Sequence, residues 1–253
     1  MAQLMRTSNP ALTGDSFRTG EASYGESMTI SGAVNKTGVL LICCVATAAW
    51  TWNRFFNAPS PQEAMQAVTP MLVAGGIGGF IVAMVTIFKK EWAGVTAPVY
   101  ALLEGLLLGG ISAMLEQRYH GIAIQAVSLT FGTLLAMLLA YRSGLIRVTD
   151  KLRLGIVAAT GGIAVFYLLQ FILGFFGVHF TAINNSSPIG IGFSIIVVIV
   201  AALNLVLDFD LIENGARMGA PKYMEWYGAF ALMVTLVWLY FEILRLLSKF
   251  RQR

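Results

Sequence analysis

Apolar residues run along this chain in long blocks, and polar residues gather between them. A helix that crosses a bilayer needs roughly 20 mostly apolar residues. Seven blocks meet that demand, at 33–54, 68–88, 97–117, 121–141, 153–178, 188–208 and 222–247. Helices are the expected elements, because in hydrocarbon every backbone N–H and C=O must be satisfied within its own segment. Residues 1–30 carry Ser, Thr, Gly and mixed charge and read as a polar, flexible tail. Residues 31–253 read as one all-α membrane domain of seven helices, with connections too short to hold a soluble domain.

Composition agrees with the pattern. The chain is 57% hydrophobic and 12% charged, against about 25% charged in soluble domains. The net charge is +4, but Lys and Arg stand at block ends and form no basic face, which argues against a nucleic-acid partner. Cys43 and Cys44 adjoin in an apolar block. They point about 100° apart on a helix and read as small packing residues, not a metal pair.

Orientation follows from basic residues near block ends. Connections two-to-three, four-to-five and six-to-seven hold Lys89, Lys90, Arg142, Arg147, Lys151, Arg153, Arg217 and Lys222. The opposite connections hold Arg54 and Arg118. This places the N-terminus inside. Arg245, Lys249, Arg251 and Arg253 then fall on the poorer side, in conflict with the rule unless the last helix fails to span.

Small residues recur every four positions at Gly75, Gly79 and Ala83, and again at Gly105, Gly109 and Ala113. Such stripes let helix backbones approach closely. Ionisable residues inside spans are rarer and more telling, since each costs about 2.5–3.5 kcal/mol at the helix centre on insertion scales. Glu104 lies seven residues past Ala97, about 10 Å along the helix. It is either a buried, hydrogen-bonded carboxyl or part of an ion pathway. Asp208 and Asp210 close the sixth block and cannot share a helix face. Asn204 lies one turn before Asp208 on its face, so the pair offers oxygen ligands to a hard cation. Asp210 and Glu213 read as a solvated helix end. In the seventh block Pro221 suits a first helical turn and Glu225 its positive end. Glu242 and Arg245, three apart, are placed to pair. Thr235 sits mid-helix, and His120 and His179 are isolated in connections.

Catalytic signatures are missing. There is no HExxH, P-loop, Gly-x-Ser-x-Gly or Cys/His cluster, and Gly190 and Gly192 are followed by no Asp of the intramembrane aspartyl-protease kind. The reading is a non-enzyme without a cofactor or resident metal.

The segments "LMRTSNPAL", "EGLLLGGIS", "SLTFGTLLAMLLAY", "LVLDFDLIE" and "APKYMEWYGAFALMVTLVWLYFEILRLL" together resemble the Bax inhibitor-one, YccA-like membrane proteins. The resemblance implies six helices around a central last one, and a pH-sensitive calcium leak. In that family an acid ending the sixth helix pairs with one in the seventh, and protonation of the pair gates the path. Asp208 matches the first position, while the second falls at Thr235, which is not an acid. Glu104, Asn204 and Asp210 are the other candidate pathway residues, and Glu242 with Arg245 the candidate closed-state ion pair. The implied partners are the lipid bilayer and Ca²⁺, held transiently near Asp208, and the implied place is a bacterial inner membrane with the N-terminus cytoplasmic. The alternative is a regulator that restrains a membrane-anchored protease or a cell-death or stress pathway without conducting ions.

Overall fold

Each apolar block becomes a helix in the computed structural model, which describes residues 27–177, 183 and 185–252. The order is α1 (Ile30–Phe56), α2 (Pro61–Phe88), α3 (Ala93–Arg118), α4 (Ile122–Arg142), α5 (Asp150–Phe175), α6 (Pro188–Arg217) and α7 (Met224–Arg251). All seven are long and apolar enough to cross a membrane. Most of the tail 1–30, and His179, lie outside the described residues.

Caps set the starts. Thr29 caps α1, Ser60 caps α2, Thr149 caps α5 and Ser187 caps α6, each accepting an N–H from the first turn. Pro61 and Pro188 follow two of these caps at the first helical position. Ser60 also donates to Glu63 at 2.9 Å, so α2 begins at Pro61 and not at 68. Helix α7 begins later than expected. Pro221 is not in its first turn but in an isolated bridge to Ser27, and α7 starts at Met224.

The largest revision concerns α6. Its apolar block closes at 208, yet the helix runs on to Arg217, where Gly219 (φ +66°) ends it. Asp208 therefore stands nine residues inside the helix end, about 13 Å along the axis. The block ended because the residues turned amphipathic, not because the helix stopped: Phe209, Ile212 and Gly215 remain buried while Asp210 and Glu213 find partners.

Helix α7 is the centre. It packs against α1, α3, α4 and α6, and 61% of its spanning window is buried, against 6% for α5. Its 28 residues reach about 42 Å, enough to cross. The conflict with the charge rule at this end therefore stands. Arg245 and Lys249 belong to the last turns of α7 and are engaged within the bundle, not free in a tail.

The glycine stripes do what their spacing suggests. A Cβ at Gly109 would lie 2.7 Å from the Ala48 Cα, and one at Gly75 2.6 Å from the Leu103 carbonyl. These glycines bring α3 against α1 and α2 against α3 at backbone contact. Thr47 Oγ1 then donates across the first interface to the Leu102 carbonyl at 2.9 Å. Opposite α3, α2 contains a π-helical turn at Ala74–Gly78.

Candidate functional site

Among the described residues, three carboxyl groups each keep one buried oxygen without a hydrogen-bond partner: Glu104 Oε2, Asp208 Oδ2 and Glu242 Oε2. An unpaired polar atom away from water is costly, so these are the places where the structure holds chemistry in reserve. They occupy three different interfaces.

Asp208 lies on α6 against α7, with the Thr235 hydroxyl near its carboxyl. The two positions picked out by the resemblance thus face each other. One is a carboxyl and the other a hydroxyl, so the site has a single ionisable group. Asn204, one turn earlier on α6, points elsewhere: its amide donates to Thr160 Oγ1 of α5 and to the Val200 carbonyl, both at 2.8 Å. It does not pair with Asp208. Asp210 is not a solvated end either, since Arg153 of α5 meets it at 2.6 Å. Glu213 accepts from the Tyr141 hydroxyl at 2.5 Å and pairs with Arg217.

Glu104 sits on α3, 8% exposed. Tyr100, one turn before it, is its polar neighbour. Across the interface stands Gly79 of α2, where a Cβ would lie 2.8 Å from the Glu104 carboxyl. Glu104 thus lies at the α2–α3 interface.

Glu242, 4% exposed, pairs with Arg245 at 3.5 Å as its spacing suggests. The closer contacts run through Tyr167 of α5. Its hydroxyl donates to Glu242 Oε1 at 2.9 Å and accepts from Arg245 at 2.6 Å, and the guanidinium stacks over its ring. Tyr167 escaped the sequence reading because an aromatic in an apolar block carries no sign of its partner.

Two further polar sites were also missed. Glu225, 1% exposed, accepts from the Thr29 amide (2.8 Å) and hydroxyl (2.9 Å) and pairs with Lys36 and Lys222. A Cβ on Gly32 would overlap this carboxylate. The cluster is fully paired and fastens the start of α1 to the start of α7, with Met28 N–H donating to the Ala220 carbonyl beside it. Lys249, 4% exposed, donates to the carbonyls of Ile183 and Gly190 and to Ser194 Oγ. Residues 27–29, assigned to the tail, are thus docked. Among the described residues no three His, Cys, Asp or Glu converge as a metal site.

A family model described as Bax inhibitor 1 like matches residues 9–252. The chain belongs to the Bax inhibitor 1 like family. No curated protein and no solved structure matches it. For a Bax inhibitor 1 like chain, the all-helical fold with seven spans and a central α7 identifies an integral membrane protein.

Proposed function

We propose that this protein is a calcium-class cation leak whose opening is governed by protonation of Asp208. The observation that carries the reading is Asp208 itself: a carboxyl with a buried, unpartnered oxygen, well inside α6, facing the central helix at Thr235. An acid so placed gains from binding either a proton or a cation, and exchange between the two is the chemistry of a proton-gated leak. Family membership supports the same reading. Thr235 replaces a second acid, so gating here needs only one carboxyl, its hydroxyl neighbour serving as donor to the ionised form.

The basic residues at the α2–α3, α4–α5 and α6–α7 connections support a cytoplasmic side for the end bearing the α1 N-terminus. We read the membrane as a bacterial inner membrane. The protein acts without an enzymatic step, cofactor or resident metal, and its partners are the bilayer and transported Ca²⁺.

The test is Ca²⁺ flux into proteoliposomes from about pH 6 to 8, the range in which biological pH switches operate. Wild type and Asp208→Asn are compared at matched protein density. Flux that varies with pH in wild type and not in the variant is the expected result. Rates equal to empty liposomes for both proteins at every pH would remove the leak reading and favour a regulator acting on a membrane-anchored protease or a stress pathway.

A further inference from the structure

The helix least committed to the bundle is α5. Ile156 is its one fully buried residue among those described, and its packing is mainly against α6. Val157, Val165 and Leu168 are exposed along its outer face. What attaches it is polar. Arg153, Thr160 and Tyr167 are spaced by seven residues. Two helical turns are 7.2 residues, so these side chains form one stripe, drifting by about 20° per step. Each meets a polar group of α6 or α7: Arg153 meets Asp210 at 2.6 Å, Thr160 meets Asn204 at 2.8 Å, and Tyr167 meets Glu242 at 2.9 Å.

Helix α7 carries a matching stripe. Thr235, Glu242 and Lys249 are also seven apart. Thr235 faces Asp208, Glu242 faces Tyr167, and Lys249 reaches Ser194 on α6. Each stripe spans 14 residues, about 21 Å of a hydrocarbon core near 30 Å. The two overlap with an offset, α5 covering the level of Asp210 and α7 continuing to Ser194. Two of the three unpartnered carboxyl oxygens, those of Asp208 and Glu242, lie on this seam.

We infer that the seam between α5, α6 and α7 is the route by which water and cations cross the membrane, and that α5 is its movable wall. The inference rests on the leak reading for its cargo but not for its location. Physical cost favours this wall over others. Lipid tails solvate the apolar face of α5 as well as a neighbouring helix does, so detaching it forfeits little beyond the polar ties. Interhelical hydrogen bonds in membranes are individually weak. Separating α1 from α3, in contrast, would undo backbone contacts at Gly105 and Gly109. Once α5 shifts, the groups exposed are carboxyl, hydroxyl and amide oxygens, the ligands a hard cation takes.

The experiment uses full-length protein in proteoliposomes, with Cys43→Ala and Cys44→Ala as background. Thr160→Cys and Thr235→Cys place a thiol on the seam, and Val165→Cys and Leu168→Cys place one on the lipid face. Each is treated with a membrane-impermeant cationic methanethiosulfonate in the presence of Ca²⁺, at acidic and neutral pH, with Ca²⁺ flux recorded on the same vesicles. Because the thiolate is the reactive form and needs water, seam thiols should react roughly tenfold or more faster than lipid-face thiols. Two seam positions guard against one variant failing to fold. Equal protection of all four positions overturns the inference. Flux without seam labelling overturns it too, while leaving the leak reading intact. Seam labelling without flux upholds the seam and removes the leak reading.

Discussion

Glu225→Ala is the most informative perturbation of the fold. The carboxylate is 1% exposed and holds two lysines and two donors of Thr29. Its loss affects those partners unequally. Lys222, with a side chain 49% exposed, is returned to solvent at almost no cost. Lys36, at 18%, cannot escape fully and becomes a largely buried charge without a counterion. Breaking a buried pair from one side costs about 3–5 kcal/mol. The solvent that remains around Lys36 argues for the lower half of that range, and Thr29 is exposed, so its two donors turn to water at little further cost. A destabilisation of about 3–4 kcal/mol is the net expectation. It is measured by SDS-driven unfolding in mixed micelles, with Arg217→Ala as the control, since its exposed i,i+4 pair with Glu213 should contribute under about 0.5 kcal/mol. The double variant Glu225→Ala with Lys36→Met should be less destabilised than Glu225→Ala alone, because no charge is stranded. A loss below about 1 kcal/mol for Glu225→Ala, or a double variant worse than the sum of its parts, would refute the claim that this cluster fastens α1 to α7.

Two further perturbations probe packing. Gly109→Ala should destabilise by about 2 kcal/mol or more, because its Cβ meets the Ala48 backbone, which cannot move aside; Gly132→Ala, facing open space, should be neutral or stabilising by up to about 1 kcal/mol, read from the same unfolding curves. Tyr240→Phe removes the 2.8 Å hydrogen bond to Ser112 and should cost about 1–2 kcal/mol, while Tyr240→Phe with Ser112→Ala should cost less than the sum of the single changes, as a double-mutant cycle would show.

Much of this molecule is legible one helix at a time. Seven apolar blocks determine seven spans, since a bilayer leaves the backbone no other way to satisfy its hydrogen bonds. The four-residue glycine spacing identifies the faces of α2 and α3 that pack, because only glycine admits a backbone at that distance. Even the seam is written in the chain as two seven-residue polar stripes, Arg153–Thr160–Tyr167 and Thr235–Glu242–Lys249, though a hydroxyl or a tyrosine in an apolar block does not declare which helix it will meet. The end of α6 was misread for a related reason. A falling density of apolar residues marks where water begins, not where a helix stops, and α6 continues through Asp208 and Asp210 because Arg153 and Tyr141 meet the acids of its last turns while its own Phe209 and Ile212 stay buried. Only the tertiary structure decided the pairings: Glu225 with Lys36 across 189 residues, Tyr167 with Glu242, and Asp208 facing a threonine. Local spacing reports which residues share a face, but the neighbour that satisfies a buried charge comes from another part of the chain, brought there by how seven helices pack together.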